Sequence, residues 1–179
     1  MSRPGAHGRI VRWEVLNGLP GEGPPPKHFH LGHPTPWSEG VVIRFWNEDG
    51  TEWVGNFQGG IYGLDTSFDW AEADFVVVFA NGACYFIHTN EPNRWVVNGT
   101  NAVYALFDEQ GSLLIVAYEG GDLIAFERNG LKRWVRRSFG ALGVVLKSCE
   151  GGVVTAEVET DYEDSWRTAQ IKTIDGSDV

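Results

Sequence analysis

The stretch FVVVFANGACYFIH, residues 75–88, decides the fold class, because two apolar runs flank the dipeptide Asn81-Gly82. Asn-Gly between such runs is a strong hairpin signal, since both residues tolerate the positive φ angles of a tight turn. The pattern recurs around Asp49-Gly50, Gly120-Gly121 and Gly151-Gly152, and the second glycines of the four turns are 32, 39 and 31 residues apart. One hairpin cannot bury its own apolar face, so the recurrence predicts stacked β-units.

This pattern predicts an all-β chain of about twelve short antiparallel strands in four hairpin repeats, with a β-sandwich or barrel as the alternative. Residues 1–40 are expected to form an N-terminal strand and a Pro-rich arm strapped onto a single repeat domain, residues 41–179. The N-terminal strand is expected to pair with the open edge of the fourth repeat, which would otherwise invite aggregation. The segment DTSFDWAEAD, residues 65–74, is the best candidate for a helical turn, and an acidic loop is the alternative reading.

The third repeat, EGGDLIAFERNGLKRWV (residues 119–135), resembles a quinoprotein-type β-propeller repeat. It has a glycine turn, a strand of the form L-x-A-x, a second glycine turn and a strand that carries tryptophan. The resemblance implies a small or incomplete propeller that serves as a scaffold, and it does not imply a quinone. We therefore expect no cofactor.

A second segment is similar to small uncharacterised bacterial proteins. It runs from Ser38 to Phe45 and continues through Asp49-Gly50 to Trp53–Phe57. The similarity implies a bacterial source and attaches no activity to the chain.

The charge and composition bound the class of partner. The net charge of −10 over 179 residues argues against a general binder of nucleic acid or of anionic membranes, and it suits a basic partner. No signal peptide and no apolar run of membrane-spanning length is visible, so we expect a cytoplasmic protein. Cys84 and Cys149 are far apart and form no C-x-x-C motif, so they are expected to be reduced, buried thiols.

Carboxylates and a tryptophan form the first candidate binding set. Paired carboxylates beside aromatic residues are typical of proteins that bind or cleave carbohydrate. The candidates from two polar stretches are Asp65, Asp69, Trp70, Glu72 and Asp74 in the first, and Asp161, Glu163 and Asp164 in the second.

Three histidines form the second candidate set, in the pattern H-x-H-x-x-H at His28, His30 and His33. Neutral imidazoles in such a cluster bind zinc or copper. A fourth ligand is not apparent nearby, so we expect no stoichiometric zinc, and solvated loop histidines are the alternative.

These observations favour a non-catalytic protein-interaction module, in which an acidic immunity-type protein neutralises a basic partner. No catalytic residue is assigned, because the chain has no G-x-S-x-G elbow and no zincin spacing. Carbohydrate binding or cleavage and metal binding are the alternatives, and self-association is left open. An apolar patch rimmed by acids would favour the first function, whereas exposed tryptophans beside carboxylates in a pocket would favour the second.

Overall fold

The computed structural model describes residues 9–32, 39–140, 143–160 and 165–179. Within these ranges the chain forms β-strands, one 3₁₀ turn at Ala71–Ala73 and no α-helix, which confirms the all-β prediction. The described residues contain fifteen strands: β1 (Ile10–Leu16), β2 (Lys27–Phe29), β3 (Val41–Asn47), β4 (Glu52–Phe57), β5 (Thr66–Trp70), β6 (Phe75–Ala80), β7 (Ala83–His88), β8 (Trp95–Val97), β9 (Ala102–Phe107), β10 (Leu113–Tyr118), β11 (Leu123–Glu127), β12 (Lys132–Arg136), β13 (Val144–Glu150), β14 (Val153–Glu159) and β15 (Trp166–Lys172).

The strands form four sheets in two compact units. The N-terminal unit comprises the described residues up to Asp69 together with Asp74–Thr100, and the C-terminal unit comprises Trp70–Ala73 and the described residues from Asn101 onward. The strand orders are β1-β3-β4-β2 in sheet 1, β5-β6-β7-β8 in sheet 2, β12-β11-β10-β9 in sheet 3 and β13-β14-β15 in sheet 4. Each of the four predicted hairpins is present, and each lies in a different sheet, as β3-β4, β6-β7, β10-β11 and β13-β14.

Two of the hairpin turns show why the glycine dipeptides are placed where they are. Asn81 and Gly82 have φ angles of 44° and 85°, and Gly151 and Gly152 have φ angles of 57° and 78°. Positive φ at both central residues defines a type I′ turn, whose twist matches that of the flanking strands. The turn residues therefore set the register of β6-β7 and of β13-β14 locally.

Aromatic side chains fill the core of the N-terminal unit. Phe29 stacks on Phe57 with ring centroids 4.3 Å apart, and it meets the edge of Trp95 at 5.3 Å. Phe45 and Trp53 stack at 4.2 Å from paired positions on β3 and β4. Because such pairs are worth about 0.5–1.5 kcal/mol beyond the area they bury, this cluster holds sheet 1 in shape.

The core of the C-terminal unit includes one face of strand β14, whose residues alternate between buried and partly buried. Val154, Ala156 and Val158 of β14 are buried, whereas the alternating Thr155 and Glu157 are only partly buried. One face of sheet 4 is thus apolar and the other is wetter, as expected for an antiparallel sheet with one buried face.

The predicted partner of the N-terminal strand is wrong. Strand β1 pairs antiparallel with β3, and not with the fourth repeat. The side chains of β1 are held within the N-terminal unit. Ile10 packs in its aromatic core, and the Trp13 Nε1 donates a hydrogen bond to the Ser67 Oγ at 2.8 Å. The edge strand β15 of sheet 4 is met by residues 177–179, since the Val179 amide donates to the Gln170 carbonyl and Asp178 bridges to Ile171.

Two strands fall in segments that were not expected to hold any. Lys27–Phe29, inside the Pro-rich arm, pairs parallel with β4 and forms the edge of sheet 1. Thr66–Trp70, expected as a helical turn or an acidic loop, is the edge strand of sheet 2. Both strands are short edge strands, so they carry little of the apolar periodicity that marks a strand in the sequence.

Lys27 supplies the first prediction. Its Nζ lies 4.5 Å from the centroid of the Trp53 ring, is buried, and has no hydrogen-bond partner among the described residues. Burial lowers the pKa of Lys27 from its usual value. Because an unpaired polar group costs about 1 kcal/mol or more when buried, Lys27→Met should raise the free energy of unfolding at pH 7 by about that amount.

The pH dependence of the effect has a defined sign. With a lowered pKa, the folded state releases its proton before the unfolded state does, so the unmodified protein gains stability as the pH rises toward the unfolded value. Urea unfolding at pH 7 and pH 10 should therefore show the advantage of Lys27→Met shrinking at the higher pH. The exposed Lys132→Met is the control and should show neither effect. A Lys27→Met variant less stable than the unmodified protein at pH 7 would contradict the prediction.

Candidate functional site

The predicted acidic residues that the structure describes have different surroundings. Asp65 and Asp69 are exposed at the two ends of β5, and Glu72 is exposed in the 3₁₀ turn beside Gly111. Asp74 is a turn residue with a φ of 55°, and it forms an ion pair with Arg9 at 3.3 Å. The remaining three candidates, Asp161, Glu163 and Asp164, lie outside the described residues.

Trp70 is a core residue, which corrects its assignment to a binding surface. Its side chain is fully buried, and its Nε1 donates a hydrogen bond of 2.7 Å to the Gly111 carbonyl. Its ring lies 5.6 Å from that of Phe107. A side chain so enclosed offers no face on which a sugar ring could stack.

The histidines that are described are held by different neighbours. His28 is exposed on β2, with its Nδ1 3.2 Å from the Asn56 side-chain amide, whereas His30 meets the edge of Trp95 at 5.7 Å. His33 lies outside the described residues. Within the described ranges no three His, Cys, Asp or Glu side chains are grouped so that they could hold a metal ion.

Both cysteines are buried and neither is in a disulfide, as expected. Burial, together with the nearby charges of Asp108, Glu109 and Glu150, raises the pKa of Cys149 to about 11. Since the thiolate is the nucleophile, this sulfur is unsuited to nucleophilic catalysis at neutral pH.

A concave site does occur in the N-terminal unit, and we name it the acidic groove. It is lined by residues 15–18, 39–43 and 65–66 and has a volume of about 290 Å³. Its apolar wall comes from the ends of β1 and β3, and its carboxylates are Glu39 and Asp65. Asp65 is thus the member of the predicted set that lines the groove.

Both groove carboxylates are oriented by the backbone. The Leu19 amide donates to the Glu39 Oε1 at 2.8 Å, and a Cβ added to Gly18 would lie only 2.6 Å from that oxygen. The Asn81 amide donates to the Asp65 Oδ1 at 3.2 Å. Within the described residues neither carboxylate takes part in an ion pair.

An exposed apolar loop, residues 58–64, lies next to the groove in the chain, and we call it the Ile61 loop. Its sequence is QGGIYGL, and the side chains of Ile61 and Tyr62 are 82% and 43% exposed. Ile61 is the most exposed large apolar side chain among the described residues, and the aromatic Tyr62 lies open beside it.

The Ile61 loop is held by the β6-β7 turn. The Asn81 Nδ2 donates to the carbonyl oxygens of Gly60 and Ile61 at 3.2 and 3.1 Å. The Gly60 amide donates to the Ala80 carbonyl, and the Gly82 amide donates to the Leu64 carbonyl, both at 2.9 Å. A Cβ at Gly60 would lie 2.0 Å from the Thr100 carbonyl oxygen, so only glycine fits there.

Asn81 connects the acidic groove with the Ile61 loop. Its backbone amide donates to the Asp65 carboxylate, and its side-chain amide donates to the Ile61 carbonyl. Sequence reasoning named Asp65 and missed both Glu39 and Ile61. One feature of the sequence could have indicated this loop. Ile61 and Tyr62 lie between Gly60 and Gly63, and a turn at such a position exposes its side chains.

No protein-family model matches the chain, and no curated protein matches it. In the part of the chain that the structure describes, none of the helical segments has the length and apolar character needed to cross a membrane.

Proposed function

We propose that this chain is a non-catalytic protein-interaction module that binds a basic partner through the Ile61 loop and the acidic groove. The observation that carries the proposal is the exposure of Ile61, which is 82%, on a loop held in place by the Asn81 side chain. An apolar anchor that is rigid before binding loses little entropy when a partner covers it, and it gains free energy as its surface leaves water. Ile61 has the properties of such an anchor.

The surroundings of the anchor favour a basic partner. Asp65 and Glu39 flank an apolar wall that includes Val15, which is 56% exposed. This is an apolar surface rimmed by acids, and the net charge of −10 would accelerate the encounter with a positively charged protein. An immunity-type role, in which an acidic bacterial protein neutralises a basic toxin in the cytoplasm, is the biological setting that we propose.

The repeats fit a scaffold role. Sheets 2, 3 and 4 are meanders, in which neighbouring strands are consecutive in the chain. Meanders of three or four strands are the form that propeller blades take. We propose that the chain carries propeller-like repeats whose loops are free to serve recognition.

Carbohydrate binding has less support. It would need exposed tryptophans beside the carboxylates, and none of the described residues lining the acidic groove is a tryptophan. Trp166, which is 47% exposed on β15, belongs to the C-terminal unit and does not line the groove. Protein recognition is therefore the better supported of the two functions.

The test places a photo-crosslinking amino acid at position 61 and, as the control, at position 131, because Leu131 is also exposed, at 65%. We expect capture of a basic protein from cells of the source organism at position 61 alone. The captured protein is then purified and titrated by calorimetry. Because hot-spot truncation costs about 2 kcal/mol or more, Ile61→Ser should weaken its binding about 30-fold, and Leu131→Ser should leave it unchanged.

Two outcomes would overturn the proposal. One is the absence of a partner specific to position 61, and the other is a partner whose affinity is the same for Ile61→Ser and for the unmodified protein. Circular dichroism on each variant shows whether the β-structure is retained, and the exposure of Ile61 leads us to expect that it is.

A further inference from the structure

We propose that the acidic groove binds one arginine side chain of the partner, with the guanidinium between Glu39 and Asp65. The inference rests on the proposed function and names the chemistry of its second contact. The groove volume of about 290 Å³ is at the lower limit of ligand pockets, so it suits a single side chain rather than a cofactor.

The carboxylates are prepared for a cation. Glu39 is held by the Leu19 amide through Oε1, and Asp65 is held by the Asn81 amide through Oδ1. Each carboxylate therefore keeps its second oxygen for another donor. No cationic side chain among the described residues forms an ion pair with either.

Gly18 helps to hold the Glu39 carboxylate in position. A Cβ at Gly18 would lie 2.6 Å from the Glu39 Oε1, so the glycine lets the carboxylate approach the backbone at residues 18–19. Gly40, the next residue after Glu39, is held as well, because its amide donates to the Asn56 Oδ1 at 2.8 Å. The Glu39 carboxylate is thus held by the Leu19 amide, and the backbone that follows it is held at Gly40, so little entropy is lost when the carboxylate binds a cation.

The walls of the groove fit the rest of an arginine side chain. Val15 and Leu16 of β1 and Val41 of β3 line the groove beside the carboxylates. Arginine buries its three methylene groups along apolar surface while its charged end stays with polar partners. A guanidinium also has donors in two directions in one plane, so it serves two carboxylates better than an ammonium does.

The test uses a defined probe. The ¹⁵N-labelled full-length protein is titrated with Nα-acetyl-arginine-N-methylamide and followed by two-dimensional NMR. We expect shift changes that saturate, with a Kd of about 1–10 mM, at the amides of Gly18, Gly40 and Thr66. The matching citrulline amide has nearly the same shape without the charge, and it should cause no saturable change. The lysine amide should bind several-fold more weakly.

Variants locate the site. The double variant Glu39→Gln/Asp65→Asn should weaken arginine binding at least tenfold, and Asp65→Asn alone should weaken it about threefold. The control Glu52→Gln removes an exposed carboxylate of β4 that does not line the groove, and it should bind as the unmodified protein does. A well-dispersed spectrum of each variant shows that it is folded.

Any of three results would overturn the inference. The first is the absence of saturable shift changes at arginine-amide concentrations up to 50-fold above the expected Kd. The others are that the citrulline amide binds as tightly as the arginine amide, or that the double variant binds the arginine amide as tightly as the unmodified protein. Failure here is separable from failure of the proposed function. Ile61→Ser should leave the arginine titration unchanged, and loss of the arginine site alone would leave the capture at position 61 intact.

Discussion

Trp134→Ala should lower the free energy of unfolding of the C-terminal unit by about 3–5 kcal/mol, the usual cost of deleting a buried tryptophan. The side chain is only 9% exposed, and its Nε1 donates a hydrogen bond of 2.8 Å to the Thr173 carbonyl. The ring also supports residues 173–178, since a Cβ on Gly176 would lie 3.0 Å from it. Its removal leaves a cavity and an unpaired carbonyl together.

The substitution of Trp134 should also weaken the neighbouring ion pair between Arg136 and Asp178. Arg136, two residues along β12, donates to the Gly176 carbonyl and to both carboxylate oxygens of Asp178 at 2.9–3.1 Å. Urea unfolding followed by circular dichroism measures the change, and Trp166→Ala is the control. Because Trp166 is 47% exposed, its truncation should cost less than about 1 kcal/mol. Equal effects of the two substitutions would refute this account of Trp134.

Deletion of residues 1–17 should lower the stability of the N-terminal unit by about 5 kcal/mol, a large part of the total for a domain. It removes strand β1, and with it Ile10, which is 5% exposed, and the Trp13 hydrogen bond to Ser67. It also uncovers the whole length of β3, whose unpaired edge would then be free to pair with other molecules. Light scattering should show aggregation, and thermal melting should show an earlier transition.

The control for the deletion is Val11→Thr. Val11 is 58% exposed, so this change keeps the strand and alters only an open side chain. It should shift the melting temperature by no more than a degree or two. A truncated protein that stays monomeric and melts like the full chain would show that β1 contributes nothing to the fold.

The hairpins could be predicted because their signals are local. Asn81-Gly82 and Gly151-Gly152 define their own turns, and FVVVFA reads as the fully buried strand that it is. The same locality explains the errors. The parallel pairing of β2 with β4 joins residues nearly thirty positions apart across a proline-rich stretch, and the choice of β3 as the partner of β1 depends on packing that no short window contains.

Two tryptophans at equivalent positions of their repeats differ in burial. Trp134 is buried, but Trp95 is only partly buried, although both lie in the third strand of a hairpin repeat. Both strands are at the edge of a sheet, but residues 173–176 cover Trp134, since the Thr173 carbonyl accepts its Nε1 proton and Gly176 lies against its ring. Burial of these tryptophans thus depends on the residues that cover the edge strand, and position within the repeat does not decide it.

The candidate site was harder to predict than the fold. Asp65 could be named from its neighbours, whereas Glu39 acquires its orientation from Leu19 and Gly18, twenty residues away. The openness of Ile61 is likewise a property of its surroundings. Sites made by long-range contacts between loops leave little trace in a single sequence, while turns leave a clear one.

Asn81 has a further consequence for how such a protein can diverge. One residue forms the β6-β7 turn, with a φ of 44°, and also holds the backbone of the Ile61 loop. Selection for folding therefore preserves the shape of the loop even in a lineage that no longer needs its partner. The side chain at position 61 is free of that constraint, so descendants can exchange one partner for another through a single codon while the β-framework is inherited unchanged.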